Sequence, residues 1–212
     1  MSEPRIKVPA VKFCGMTRVV DIEYASELAV NAIGLVFYPK SARYIDTNQA
    51  HSLMKSVSPF MTVVALFVNP TEREVEQVLH HVNPHLLQFH GDEDEAFCQK
   101  FNIPYLKALR MQNHQSAAAK LSYSSAKGLL YDAYDVKQYG GTGHSFNWDW
   151  FPSPSNRSHY SILAGGLNPD NVAQALNYYP DAVDVSGGIE SSPGIKDPIK
   201  MRLFMQQIWN AV

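Results

Sequence analysis

SILAGGLNPDNV (Ser161 to Val172) and AVDVSGGIESSPGIKD (Ala182 to Asp197) repeat one arrangement near the C-terminal end of the chain. In each, a short apolar run ends in a polar turn that holds Gly-Gly, and helix-start chemistry follows. Asn168-Pro169 and Asp197-Pro198 each set a capping residue before a proline suited to the first helical position. Adjacent glycines let backbone N–H groups come close to a ligand, and a helix N-terminus attracts anions. Two such turns in succession read as two jaws around one phosphate. The alternative is a pair of tight turns that need positive φ. The seventh and eighth βα loops of a barrel are a common place for a phosphate site of this kind.

Working back toward the N-terminus, short apolar runs alternate with helical patterns. Ala10 to Cys14, Ala32 to Tyr38, Thr62 to Val68, Leu86 to His90, Tyr105 to Leu109 and Gly128 to Asp132 read as strands. Tyr160 to Ala164 and Ala182 to Ser186 bring the count to eight. Asp21 to Ala29 predicts a helix that buries Ile22, Ala25 and Ala29, and another falls near Asn48 to Lys55. Thr71 and Glu74 stand at capping-box spacing, with Val75, Val78, Leu79 and Val82 on one helix face. Asp92 and Glu95 suggest a capped helix carrying Phe97 and Phe101, and a further helix falls near Ser116 to Leu121. Ala133 to His159 reads as a loop with a short, poorly formed helix, and the final helix buries Met201, Phe204, Met205 and Ile208. This is the pattern of an α/β protein: a single small (β/α)8 TIM barrel over residues 1–212, with phosphate-binding loops after strands seven and eight. An open doubly wound sheet is the runner-up. Against it stand the even strand lengths and the lack of G-x-G-x-x-G after the first strand.

Composition narrows the partners. A chain of 212 residues, 45% hydrophobic, can build one large core. A net charge of −2 offers no basic field for nucleic acid. No apolar run reaches membrane-span length, and the N-terminus lacks the apolar stretch of a signal peptide. Cys14 and Cys98 make no disulfide framework. The expectation is a cytoplasmic protein with a small-molecule ligand and neither nucleic acid nor membrane as partner. Monomer and homodimer both stay open.

Active groups of a barrel collect at the C-terminal ends of its strands. Those positions hold Cys14, Arg43 in the loop after the second strand, Asn69, His90, Asp132 and Asp184. Cys14, beside Gly15, is read either as a base or nucleophile or as a small buried hydrophobe. Cys98, between Phe97 and Phe101, is read as core. Partial burial would suit Asp132 to general-acid work, with a cap or turn residue as the other reading and Asp135 as its competitor. Asp184, flanked by valines, is read as orienting backbone or a substrate hydroxyl. Arg43 is suited to hold a carboxylate in a two-pronged grip, or else is a solvated loop residue. His90 is read as a core histidine or a ligand contact. His80, His81 and His85 are read as surface, and no metal ligand set is expected.

Seven segments together resemble the phosphoribosylanthranilate isomerase family: KFCGMTR, GLVFYPKSARYI, ALFVN, LLQFHGDE, YGGTGHSFNW, LAGGLNPDNV and DVSGGIE, in this order over nearly the whole chain. The resemblance implies an Amadori rearrangement of an aminoaldose phosphate to an aminoketose phosphate in tryptophan biosynthesis. It implies Cys14 as general base, Asp132 as general acid and Arg43 as the anchor of the anthranilate carboxylate. It also implies phosphate held by backbone around Gly141, Gly143, Gly165, Gly166, Ser186 and Gly187. His90 and Asp184 are candidate substrate contacts. A cationic imine serves as the electron sink, so neither metal nor organic cofactor is expected.

The chain departs from the family pattern in three places: Gly187 stands in DVSGG for DVSSG, Ala42 in PKSARY for PKSPRY, and Asn147 in FNW for FDW. Other phosphate-binding barrels are weighed against this reading. An indole-glycerol-phosphate synthase would want a strand-end lysine with paired glutamates; Lys107 is available, without the glutamates. A non-catalytic phosphosugar-binding barrel would have no use for Cys14 and Asp132 together.

Overall fold

The computed structural model describes residues 8–113, 116, 122–133 and 146–212. Eight parallel strands close a barrel in sequence order: β1 (Ala10–Cys14), β2 (Ala32–Val36), β3 (Thr62–Phe67), β4 (Leu86–Phe89), β5 (Tyr105–Met111), β6 (Gly128–Ala133), β7 (Tyr160–Leu163) and β8 (Ala182–Val185). Closure is made by β1 pairing with β8, Lys12 opposite Asp184. The helices outside are α1 (Val19–Glu27), α2 (Thr47–Met54), α3 (Glu72–Val82), α4 (Glu95–Gln99), α5 (Val172–Ala175) and α6 (Pro198–Asn210).

Side chains alternate across a strand, so a covered strand buries two different sets. Odd-numbered residues such as Phe13, Ile33, Phe67, Phe89, Tyr131 and Val183 face the helix layer and form the large core. Even-numbered ones such as Val64, Leu106, Ala108, Leu130 and Ile162 fill the barrel interior. The same parity carries Cys14, Val36, Leu66 and Val68 to the upper interior, where the packing opens toward the mouth.

The helix layer follows local chemistry. Thr71 and Glu74 form the reciprocal capping box of α3, and Val75, Val78 and Val82 are buried beneath it, each worth roughly 1.5–3 kcal/mol of transfer free energy. Asp197 accepts from the backbone N–H groups of Ile199 and Lys200, and Pro198 opens α6. Met201, Phe204, Met205 and Ile208 are its buried face.

Four local expectations need correction. Ala29 lies past the end of α1 with φ 54° and is exposed; Leu28 takes the buried place. Asp94, not Asp92, caps α4, accepting from Phe97 N at 2.8 Å. Asn168 does not cap α5; Asn171 holds that position without a side-chain cap bond, and the helix is one turn long. A two-stranded ribbon, β9 (Glu190–Ser192) with β10 (Ile195–Lys196), intervenes before α6. The helix expected near Ser116 to Leu121 falls almost wholly outside the described residues.

Candidate active site

A cavity opens at the C-terminal mouth of the barrel. Cys14, His90, Asp132 and Asp184 line it from β1, the end of β4, β6 and β8, with Arg43 and the two Gly-Gly turns at its rim. Parity explains the convergence: Cys14, His90, Asp132, Asp184 and Ser186 are all even-numbered continuations of inward-facing rows. Gly141 and Gly143, like Asp135, lie outside the described residues.

The two turns meet. Gly165 and Gly166 adopt φ values of 79° and 64°, open to glycine at little cost. A Cβ on Gly165 would stand 2.6 Å from Ala133 N and 3.1 Å from Asp132 Oδ1. A Cβ on Gly188 would run into the carbonyl of Leu167, so the second turn rests directly on the first. The Ser186 hydroxyl, on the edge of the cavity, is buried without a hydrogen-bond partner. Such a group loses solvation unless a ligand supplies the missing contact. Gly187 begins a short 3-10 turn, Gly187–Ile189.

On the β6 side, Asp132 and His90 are paired and almost fully buried, with Oδ2 2.9 Å from Nε2. Gln88, also inside the barrel, places its Nε2 2.9 Å from His90 Nδ1. The backbone N–H of Ala133 donates to Asp132 Oδ1 at 2.8 Å. His90 is thus a buried histidine whose ring nitrogens meet two side chains rather than backbone, and it lines the cavity.

On the β1 side the charges are denser. Lys12 Nζ and Asp184 Oδ1 are 2.9 Å apart, and Lys12, two residues before Cys14 on the same strand face, has the end of its chain beside the Cys14 thiol. Asp184 is thus paired with the Lys12 side chain, a partner that neither of its two readings, backbone or a substrate hydroxyl, names. Burial opposes the charge of Lys12, but Asp184 and Cys14 outweigh it and hold the ammonium above its ordinary range. Burial pushes the Cys14 thiol up, and Asp184 adds to this, while Lys12 and Lys196 pull it down. Burial likewise pushes the Cys98 thiol up to about 12, as befits a core residue.

Arg43 is neither solvated nor unengaged. Its Nε and Nη2 donate to Glu190 at 2.9 and 2.7 Å, and the fork leaves Nη1 unused. Burial works against both charges, yet their pairing raises Arg43 and, with Lys196, keeps Glu190 below the usual carboxylate range. Lys196 is fully buried and spends its ammonium on Glu190 Oε1, Cys14 O and Ser186 O. Lys12, Glu190 and Lys196 were not singled out by the sequence reading. For Lys12 a signal existed, since a residue two before Cys14 on a strand must share its face.

Lys107, weighed as the lysine of a different barrel enzyme, is buried beneath the β4 loop. A glutamate does meet it: Glu93 Oε2 accepts at 2.8 Å, but as a structural pair away from the cavity lining. His80, His81 and His85 are exposed, as expected.

Fold and site together define a small (β/α)8 barrel of the α/β class whose mouth gathers a thiol, two aspartate side chains and close-set glycine turns. The chain belongs to the N-(5'-phosphoribosyl)anthranilate (PRA) isomerase family, whose model matches residues 11–207. It is 46% identical over 205 residues to the N-(5'-phosphoribosyl)anthranilate isomerase of Stenotrophomonas maltophilia strain K279a, covering 95% of this chain and 93% of that protein. The crystal structure of phosphoribosyl anthranilate isomerase from Thermotoga maritima superposes with a TM-score of 0.87 at 33% identity, covering 95% of this chain and 99% of the other. A phosphoribosyl anthranilate isomerase in complex with reduced 1-(o-carboxyphenylamino)-1-deoxyribulose 5-phosphate is similar at a TM-score of 0.80 and 33% identity, with coverage of 95% and 99%.

Proposed function

We propose that Cys14 and Asp132 carry out the family's reaction here, the isomerisation of N-(5-phosphoribosyl)anthranilate to 1-(2-carboxyphenylamino)-1-deoxyribulose 5-phosphate. Ring opening needs a proton on the furanose oxygen, and Asp132 supplies it, oriented by His90 and the Ala133 N–H. The ring C–O bond breaks and the nitrogen lone pair forms a cationic imine. The C2–H bond is then acidic. The Cys14 sulfur takes that proton, and the bonding pair flows to the imine nitrogen, giving the enol that becomes the ketone.

Binding groups sit around this axis. The Gly165-Gly166 and Ser186-Gly187 turns, with the unpartnered Ser186 hydroxyl, suit the phosphate. Arg43, held in place by Glu190, offers Nη1 to the anthranilate carboxylate. A thiol base needs a reducing compartment, which fits a cytoplasmic enzyme.

The observation that carries the reading is the placement of Cys14 and Asp132 in one cavity, from strands separated by β7 and β8. The experiment is direct. Purified protein should abolish the fluorescence of freshly generated phosphoribosylanthranilate with saturation kinetics. Persistence of the fluorescence with folded protein would leave a phosphosugar-binding barrel as the function.

A further inference from the structure

Two ammonium groups approach Cys14, and they are not equivalent. Lys196 comes up from β10 beneath the turn after β8. Its three donors go to Cys14 O at 2.6 Å, Glu190 Oε1 at 2.8 Å and Ser186 O at 3.2 Å, which exhausts an ammonium. It ties backbone together, and Glu190 balances its charge. Lys12 comes from the same strand as Cys14, two residues earlier and on the same face. Its Nζ meets Asp184 Oδ1 at 2.9 Å, and the end of its chain lies alongside the thiol.

Gly34, on β2, shows how close the lysine and the thiol are. A Cβ added there would lie 2.7 Å from Cys14 Sγ and 3.2 Å from Lys12 Cε. The thiol and the end of the lysine chain fill the notch that the missing side chain leaves. The charged groups facing Cys14 are therefore Lys12 from β1, Asp184 from β8, Lys196 from β10 and Arg43 from the loop after β2, the last two sharing the single carboxylate of Glu190 of β9.

We infer that Lys12 is a positioning residue for this reaction: set between Asp184 and the Cys14 sulfur, its charge favours the thiolate form that takes the C2 proton. Asp184 fixes where the ammonium stands and sets how much of its charge the sulfur receives. Lys12 does not touch the reacting carbon. The inference rests on the reading of Cys14 as the base. Burial leaves the thiol above its ordinary range; against it Lys12 lowers and Asp184 raises the proton affinity, the two directions the inference uses.

The test is the pH dependence of Cys14 alkylation by iodoacetamide, followed by the mass of the Cys14 peptide so that Cys98 does not interfere. In Lys12→Gln the midpoint should move to higher pH by about 1–3 pH units. The acid limb of kcat/KM should move with it. Lys12→Arg should bring both back toward the wild type. Asp184→Asn should move the alkylation midpoint the other way, to lower pH, because the sulfur then has the ammonium to itself. General damage to the mouth does not produce shifts of opposite sign. An unchanged midpoint in folded Lys12→Gln, or shifts of the same sign in both variants, overturns the inference. If Lys12→Gln does not fold, Asp184→Asn decides alone: a fall in the midpoint supports the inference, and no change or a rise overturns it. Alkylation needs no turnover, so full activity in Cys14→Ser would remove the base assignment without touching this result.

Discussion

Two buried lysine–carboxylate pairs sit in the same barrel and serve different ends. Lys107 and Glu93, on the β4–β5 side, are 2% and 3% exposed at their side chains, and Lys12 and Asp184, on the β1–β8 side, are 6% and 9% exposed. By burial and by distance (2.8 against 2.9 Å) they are nearly the same object. Their surroundings differ. Lys107 also donates to the carbonyls of Gly91 and Phe89, and Glu93 accepts from the N–H groups of Asn69 and Gly91. The bonds of that pair gather around the loop after β4: its strand end at Phe89, the loop itself at Gly91, and Asn69, with φ 47°, from the neighbouring loop after β3. The pair closes that loop and exposes nothing to the cavity. Lys12 instead stands beside a thiol, and Asp184 lines the cavity. Burial of an ion pair therefore says little about function. What separates the two is where the remaining hydrogen-bonding capacity points.

That contrast can be broken most forcefully at the reacting groups. Cys14→Ser and Asp132→Asn should each lower kcat by about 10²–10⁴-fold while thermal unfolding stays close to wild type. Steady-state kinetics with a melting curve checks both halves; near-wild-type turnover in either variant would move the acid or base assignment elsewhere.

The structural pair should answer in the opposite currency. Lys107→Met leaves the Glu93 carboxylate buried without its ammonium and should cost about 3–5 kcal/mol of stability. Urea unfolding measures this. At a temperature where the variant is folded, kcat should stay within a few-fold of wild type. A large loss of kcat with stability intact would place Lys107 in the catalytic mouth and erase the distinction between the pairs.

Arg43→Lys sharpens the rim. It gives up the fork to Glu190 and the remaining guanidinium edge together, and should weaken substrate binding by about 1–3 kcal/mol, read mainly in KM. Equal KM values would return Arg43 to a purely structural partnership with Glu190.

The smallest effect is a pH dependence. Glu190 is held below its ordinary value in the folded protein, so its stabilisation is full above the unfolded-state value of about 4.3 and is lost as pH falls through the folded one. Glu190→Gln should therefore melt below the wild type at pH 7, and the gap in Tm should narrow toward pH 3. A narrowing of about 2–4 °C corresponds to roughly 1 kcal/mol in a chain of this length. A constant gap would mean that Glu190 acts there through shape rather than charge.

Much of the molecule was legible before any coordinates. The strands declared themselves as apolar runs because a parallel sheet under helices buries both faces; of the Gly-Gly turns, the first needs the φ values that Gly165 and Gly166 accept, and the second has no room for a side chain at Gly188 beside the Leu167 carbonyl. Thr71 and Asp197 marked helix starts for a local reason, since the unpaired N–H groups of a first turn need an acceptor, and Pro198 because it brings no N–H of its own to that turn. Asn147 fits this too, since its side chain accepts from Asp149 N much as an aspartate would. Cys14, Asp132, His90 and Asp184 could be placed at one mouth because strand ends and residue parity are one-dimensional facts. Tertiary structure alone decided what each of them meets. Lys12 reaches Asp184 across 172 residues of chain, and Arg43 reaches Glu190 across 147. Such pairings arise when the barrel closes β8 onto β1 and the β9–β10 ribbon folds under the β2 loop. Their energies depend on distance and burial, and neither quantity is written in the order of the residues.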